Sequence, residues 1–193
     1  MRTLIFATNN DHKAEEIRAL LKNQVSIITL KEAGIDKDIP EPFDTLEENA
    51  RAKSTAIYEW KAMDCFGEDT GLEVYALDME PGVKSARYAG DDRSPEANTD
   101  KLLRKMEGLK DRRARFRTVI SLLIDGKENL FEGICEGRIT EGKKGSQGFG
   151  YDPVFIPEGA GKSFAEMTME EKGRYSHRGI AVQKLVAFLS SLV

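Results

Sequence analysis

The sequence has few of the residues that build disulfide frameworks and zinc sites, since its 193 residues include only two cysteines and two histidines. Cys65 and Cys135 are far apart and form no CxxC pair, so neither a disulfide nor a zinc site is predicted, and buried thiols are expected. The apolar run in the opening MRTLIFATNN is too short for a signal-peptide core or a membrane span. We therefore expect a soluble, cytoplasmic protein with no membrane partner.

Positive charge is not in excess either, because 29 Lys and Arg residues face 33 Asp and Glu residues, for a net charge of −4. A dedicated nucleic-acid binder normally carries a concentrated basic surface, so no nucleic-acid partner is expected. The densest basic stretch, KDRRARFR at 110–117, could follow a phosphate backbone, but a solvated turn that leads into a strand explains the same residues.

The pattern of apolar and turn-forming residues predicts an α/β protein. The opening TLIFAT indicates a strand, and apolar spacing over residues 14–21 indicates a helix after a polar turn. A second strand is expected at Val25 to Leu30. The acidic loop that follows, GIDKDIPEPFD, contains two prolines that prevent regular structure, and it presents Glu41.

A capping-box pattern, Thr45 with Glu48, predicts a second helix that runs to about Ala62. The stretch CFGEDTGLEVYAL is interpreted as two short extended segments interrupted at Glu68 to Gly71, and PGVKSARYAG as a loop. The composition, with 40% hydrophobic and 32% charged residues, is that of a globular chain of one domain or a compact two-lobed one.

The second half of the chain adds two helices and a hairpin to the predicted fold. Ser94 and Pro95 suit the cap and first turn of a helix that reaches about Met106. The turn signal Asp125-Gly126 lies between two strand-like stretches, so the sheet is expected to be partly antiparallel. Leucine and phenylalanine at helical spacing over 185–192 mark a C-terminal helix that begins near Ser176.

The segment TNNDHK, Thr8 to Lys13, is a candidate phosphate loop. A strand that ends in small polar residues before a helix exposes backbone N–H groups beside the positive end of the helix dipole. The alternative is that Asn10 or Asp11 only caps the helix. Two better-known phosphate loops are excluded. GKS at 161–163 lacks the earlier glycine of a P-loop, and GSQGFG at 145–150 lacks the GxGxxG spacing of a dinucleotide site. The glycines of GSQGFG are therefore expected to serve a close backbone approach or a turn.

Two further groups of residues suggest chemistry. Glu68, Asp69 and Glu41 are carboxylates that could hold Mg²⁺, which is typically bound by one or two carboxylates together with substrate phosphates, although each acid could equally belong to a turn. The segment EKGRYSHRG at 171–179 offers lysine, histidine and arginine donors that match a purine carbonyl or phosphate oxygens, although caps and surface charges explain it as well.

Read together, the segments resemble the inosine triphosphate pyrophosphatase family. The resemblance runs through ATNNDHKAEEI, LEENARAKS, EDTGLEV, PGVKSARYAG, GSQGFGYDPVF and EKGRYSHRG, and covers nearly the whole chain, 1–193, as a single catalytic domain with two lobes. It implies an α/β fold with an elongated mixed sheet flanked by helices, a nucleotide cleft between the lobes, and a homodimer.

The resemblance also implies roles for individual residues. Asp69 would be the catalytic residue and, with Glu41, a ligand of Mg²⁺. The residues that would bind the purine nucleoside triphosphate are Thr8, Asn9, Asn10, Asp11, His12, Lys13, Lys53, Thr70, Phe149, Gly150, Tyr151, Asp152, Lys172, His177 and Arg178. Glu68 stands where Asp or Ala-Asp is common in the family, which leaves the metal shell open. Asn9 stands where a glycine is common, which slightly changes the phosphate loop without removing its backbone donors.

The implied activity is the Mg²⁺-dependent hydrolysis of ITP, dITP or XTP to the monophosphate and pyrophosphate, which cleanses the nucleotide pool. Asp69 would accept a proton from the attacking water, directly or through the metal, and Lys13 or Lys53 would neutralise charge. Two alternatives remain: a nucleotide-binding regulator without turnover, and a related pyrophosphatase that acts on pyrimidine or modified nucleotides.

Overall fold

The computed structural model describes residues 2–21 and 25–192, and these form a mixed α/β fold. The strands are β1 (Thr3–Phe6), β2 (Ser26–Thr29), β3 (Cys65–Val74), β4 (Pro81–Gly82), β5 (Arg113–Ile124), β6 (Lys127–Ile139) and β7 (Phe155–Pro157). The helices are α1 (Asp11–Leu21), α2 (Leu46–Lys61), α3 (Pro95–Lys105), α4 (Met169–Tyr175) and α5 (His177–Ser190). Among these residues, no helix has the length and apolar character needed to cross a membrane.

The seven strands form one mixed sheet in the order β2-β1-β3-β5-β6-β7, with β4 paired to β3. β1 is parallel to both β2 and β3. β4 is antiparallel to β3, and β7 is antiparallel to β6. β5 and β6 are joined by the predicted turn, in which Asp125 and Gly126 have φ of 49° and 74°, as a two-residue hairpin requires. The mixed sheet flanked by helices confirms the predicted fold class.

The chain divides into two compact units, each with its own core. Unit 1 comprises Met1–Asp69, Thr118–Gly133 and Arg178–Val193, and unit 2 comprises Thr70–Arg117 and Ile134–His177. In unit 1, alternate residues of β1 contribute to two hydrophobic clusters, one that includes α1 and α5 and one that includes residues of α2. β1 is therefore buried on both faces, as parallel strands usually are. The core of unit 2 includes residues of α3, β5, β6 and β7.

The predicted interruption of the strand at Glu68 to Gly71 is wrong, because β3 continues without a break from Cys65 to Val74. Two glycines of this strand, Gly67 and Gly71, allow close packing. A Cβ atom at Gly67 would overlap a backbone carbonyl oxygen of α2 and lie 2.7 Å from Lys53 Cβ, and one at Gly71 would lie 2.7 Å from the Gly82 carbonyl oxygen. These glycines let backbone segments approach closely within a regular strand.

Most of the predicted helix boundaries are confirmed. Thr45 caps α2 by accepting a hydrogen bond from the Glu48 N–H at 3.2 Å, and Ser94 caps α3 in the same way. α4 was not predicted, although its start carries a capping box in which Thr168 and Glu171 bond reciprocally. The interpretation of PGVKSARYAG as a loop is corrected in two respects, because its first two residues form β4 and Ser85–Arg87 form a short 3₁₀ helix.

Candidate functional site

The predicted phosphate loop, Thr8 to Lys13, comprises the end of the connection between β1 and α1 and the first residues of α1 in unit 1. Asn10 caps the helix, because its Oδ1 accepts a hydrogen bond from the Lys13 N–H at 3.1 Å, and Asn10 N–H donates to Thr8 Oγ1 at 3.1 Å. Residues 9–12 are exposed. A side-chain cap satisfies only part of the four N–H groups of a first helical turn, so capping and anion binding are compatible in this loop.

Lys53 lies at the centre of a buried group of charges in unit 1. Its Nζ donates to the backbone carbonyl of Glu68 at 2.9 Å, pairs with Asp69 Oδ1 at 3.4 Å, and forms an ion pair with Glu41 Oε1. α2 carries Lys53, β3 carries Asp69, and the irregular loop before α2 supplies Glu41, as the sequence predicted. One lysine therefore brings together the two carboxylates that were predicted to hold a metal.

The burial of this group shifts its proton equilibria. Burial opposes the positive charge of Lys53, but the attraction of Asp69, Glu41 and Glu68 outweighs it and raises the pKa of the ammonium. Burial also raises the pKa of the Asp69 carboxyl, and the charges of Lys53 and Lys13 offset only part of that effect. Asp69 is thus a stronger proton acceptor than an exposed aspartate.

The donor set fits a divalent cation that is shared with a substrate. Within the described residues, Asp69 Oδ2 is buried and has no hydrogen-bond partner, so it can accept a cation or a proton. The same part of the chain contains no cluster of three or more protein ligands that could hold a metal by itself. Mg²⁺ usually takes only one or two carboxylates and completes its shell with water and phosphate oxygens, which agrees with Asp69 and Glu41 as partial ligands.

Arg178 at the start of α5 is fully buried in unit 1 and contacts two carboxylates. Its Nε and Nη2 donate to Glu68 Oε1 at 3.0 and 2.8 Å, and its Nη1 donates to Glu16 Oε2. The other oxygen of Glu68 lies 2.8 Å from Lys13 Nζ. Arg178 was predicted to bind the substrate. Its contacts with carboxylates favour a role in holding Glu68, which in turn pairs with Lys13.

Glu16 was missed by the sequence analysis. It lies on α1 and is 8% exposed. In the segment DHKAEEIRALL it looks like one of several acidic residues on a charged helix, and only its contact with Arg178 distinguishes it. No local signal in a single sequence could have singled it out.

Unit 2 contains a second group of predicted site residues. Asp152 Oδ2 accepts hydrogen bonds from the Phe149 N–H at 2.9 Å and from Lys172 Nζ at 2.7 Å. Lys172 Nζ also lies 5.0 Å from the centre of the Phe149 ring. A Cβ atom at Gly148 would overlap the Asp152 carboxylate, so this glycine serves a close approach, one of the two predicted purposes. A lysine, an aspartate and an aromatic ring are thereby held together.

The remaining predicted residues also have defined positions. Tyr151 is buried, and its hydroxyl donates to the Ser85 carbonyl at 2.8 Å. The His177 ring stacks on Phe116 with 4.6 Å between centroids. Gly150 has a positive φ of 62° and Thr70, in β3, is half-buried. Tyr151 is therefore a structural residue of unit 2 at least through its hydroxyl.

Two other sequence features take ordinary structural roles. The arginines of the basic stretch at 110–117 make contacts within unit 2, because Arg112 donates to three backbone carbonyls and Arg115 and Arg117 pair with Glu73. Both cysteines are buried and free, as predicted, and burial raises the pKa of each thiol to about 12.

Comparison with known proteins identifies the family of this chain. A model of the Ham1 family matches residues 4–188. The dITP/XTP pyrophosphatase of Porphyromonas gingivalis is 52% identical over 190 residues, which cover 98% of each chain. That of Christiangramia forsetii is 49% identical over 187 residues, which cover 97% of this chain and 98% of the relative.

A solved structure shares the fold. The Staphylococcus aureus Ham1 protein is 40% identical and superposes with a TM-score of 0.89, covering 99% of this chain and 100% of that chain. The predicted resemblance to the inosine triphosphate pyrophosphatases is confirmed at the level of the family. Because the family model spans nearly all of the described residues and the relatives match from end to end, this chain belongs to the Ham1 family.

Proposed function

We propose that the chain hydrolyses non-standard purine nucleoside triphosphates, dITP, ITP and XTP, to the monophosphate and pyrophosphate with the aid of Mg²⁺. The names of its relatives support this substrate class. The observation that carries the proposal is the buried Asp69 carboxylate, which keeps one oxygen without a hydrogen-bond partner among the described residues while lysines lie beside it. Such hydrolysis would remove damaged purines from the nucleotide pool of the cell.

Asp69 would activate the attacking water. In the reaction, water oxygen bonds to the α-phosphorus, the bond between that phosphorus and the bridging oxygen breaks, and pyrophosphate leaves. The proton released by the water goes to Asp69 Oδ2, whose basicity is increased by burial. An acceptor of this kind contributes about 10² to 10⁴ in rate.

The lysines of unit 1 would neutralise the phosphates. Lys13 follows the loop that ends β1, and Lys53 is held beside Asp69, so each can place an ammonium near a triphosphate bound at the loop. Asp69 and Glu41 would hold the Mg²⁺. When bound, this ion supplies positive charge to the departing pyrophosphate and helps to orient it.

The group in unit 2 would recognise the base. Hypoxanthine and xanthine carry a carbonyl acceptor at position 6, whereas adenine carries an amino donor there. Lys172 is a donor that Asp152 keeps in place, and Phe149 offers a ring for stacking. A buried donor that meets the adenine amino group loses its hydrogen bond, and sites of this kind can discriminate by roughly 10⁴-fold.

The test is a product assay with dITP, XTP, dUTP, ATP and GTP, each with Mg²⁺ and with EDTA. We expect pyrophosphate and monophosphate from dITP and XTP, little product from ATP, and no reaction with EDTA. Orthophosphate as the product would contradict the proposed bond cleavage. Binding without turnover would favour a regulator, and preferential turnover of dUTP would favour a pyrimidine-specific enzyme.

A further inference from the structure

The ammonium of Lys53 lies between Glu41 and Asp69, the two carboxylates that are proposed to hold a divalent cation. It contacts Asp69 Oδ1 at 3.4 Å, Glu41 Oε1, and the Glu68 carbonyl oxygen at 2.9 Å. Lys53 is only 6% exposed, so this contact is part of the interior of unit 1 rather than a surface pair. Three oxygens around one ammonium make a complete hydrogen-bonding environment, because an ammonium has three donors.

A metal ion and this ammonium cannot use the same oxygens at the same time. Mg²⁺ binds oxygen at about 2.0–2.1 Å and requires near-octahedral geometry. An ammonium that donates to the same carboxylates would lie within a few ångströms of the ion, where two positive charges repel strongly in a buried environment. Asp69 Oδ2, which has no hydrogen-bond partner among the described residues, belongs to the same carboxylate as Oδ1, so an ion bound there would still lie close to the ammonium. The Lys53 ammonium therefore opposes binding of an ion at Glu41 and Asp69 unless it moves away.

The movement is limited to the end of the side chain. The backbone of α2 is held against β3, since a Cβ at Gly67 would lie 2.7 Å from Lys53 Cβ and would overlap a carbonyl oxygen of α2. The flexible stem can still swing its ammonium, but the ammonium is buried and needs a new anionic partner if it is to leave two carboxylates. A triphosphate supplies such a partner.

We infer that Lys53 couples metal binding to nucleotide binding: its ammonium competes with the divalent cation for Glu41 and Asp69 until a triphosphate draws it away. The inference rests on the proposed function for the identity of the triphosphate. As a consequence, the metal binds weakly to the protein alone and tightly in the presence of the nucleotide. The two ligands then favour each other reciprocally.

The inference is tested by Mn²⁺ binding to the nucleotide-free protein, measured from the electron paramagnetic resonance signal of free Mn²⁺. Lys53→Met keeps a long unbranched stem and removes the competing charge. We expect its dissociation constant for Mn²⁺ to be at least tenfold lower than that of the unmodified protein. An equal or higher dissociation constant would overturn the inference.

Lys13→Met is the matched control. It removes the same charge from the same unit, but Lys13 Nζ pairs with Glu68 Oε2 at 2.8 Å and does not lie between Glu41 and Asp69. We expect it to change Mn²⁺ affinity by less than threefold. If both variants increase the affinity equally, the effect is one of net charge, and competition by Lys53 is wrong.

A second measurement uses the unmodified protein and does not depend on the folding of a variant. If Mn²⁺ displaces the Lys53 ammonium, saturating Mn²⁺ should increase the acetylation of Lys53 by acetic anhydride, as followed by mass spectrometry, relative to that of exposed Lys61. Unchanged acetylation at saturation would contradict displacement. Neither measurement involves turnover, so failure of the proposed function appears only in the pyrophosphate assay.

Discussion

Arg178→Met tests how far the fold depends on one buried guanidinium. The substitution keeps an unbranched stem but leaves Glu68 and Glu16 without the three N–H contacts that Arg178 makes to them. Removal of one partner from a buried ion pair destabilises a protein by about 3–5 kcal/mol. In a chain of 193 residues each kcal/mol lowers the melting temperature by roughly 2–4 °C. We therefore expect a decrease of about 6–20 °C.

Urea denaturation and thermal unfolding followed by circular dichroism measure this effect. Arg174→Met provides the control, because Arg174 forms an ion pair with Glu170 in which the two side chains are 70% and 80% exposed. An exposed pair of this type contributes at most about 1 kcal/mol. If Arg178→Met lowers the free energy of unfolding by no more than this control, the reasoning from the buried network is wrong.

The same variant separates two roles of Arg178. If the guanidinium reads the base, its loss should reduce kcat/KM for ITP more than for ATP. If it holds Glu68 and Lys13, both substrates should lose the same factor. We expect the second result, since Nε, Nη1 and Nη2 all donate to carboxylates. A smaller ratio of kcat/KM for ITP to kcat/KM for ATP in the variant would instead support a role of Arg178 in binding the base of the substrate.

Three further expectations concern other residues. Asp69→Asn should lower turnover at least about a hundredfold in the pyrophosphate assay, since an amide cannot accept the proton, and near-normal turnover would remove Asp69 from the mechanism. Gly67→Ala should destabilise the fold by at least about 2 kcal/mol because of overlap with α2. Gly142→Ala, whose Cβ meets no atom within 4 Å, should have little effect in the same denaturation experiment. Burial raises the pKa of the Cys65 and Cys135 thiols to about 12, so unfolded thiols ionise above about pH 9 while folded ones do not. As the pH rises above about 9, the free energy of unfolding should then fall by about 1.4 kcal/mol per pH unit for each thiol. A variant with alanine at both positions should show a shallower decline in the same denaturation experiment.

Features that neighbouring residues determine could be predicted from the sequence. The cap at Thr45 depends on a hydrogen bond to a residue three positions later, and the turn at Asp125-Gly126 needs only two residues that tolerate a positive φ. The mixed sheet followed from such local features and from the family resemblance. Both the cap and the turn lie where the sequence placed them.

Features that depend on distant contacts could not be predicted. Gly67 and Gly71 favour a break when only their neighbours are considered, yet close backbone approach within each unit explains both inside a continuous β3. Likewise, a lone Glu16 does not reveal that it contacts a residue 162 positions away. The pairing of Lys53 with Glu41 and Asp69 also became visible only once the fold brought α2, a loop and β3 together.

The division of unit 1 into three separate segments has a consequence for synthesis of the protein. Its final segment is α5, whose residues Ala181, Val182, Leu185 and Leu189 complete the same cluster as Leu4 and Phe6 of β1. During translation α5 is made after β1 and after unit 2, so the face of β1 that carries Leu4 and Phe6 is not fully covered until α5 has emerged. A nascent chain released before α5 would carry Lys53 and Asp69 but would expose the apolar residues that α5 covers, and we expect it to engage chaperones or proteases rather than substrate.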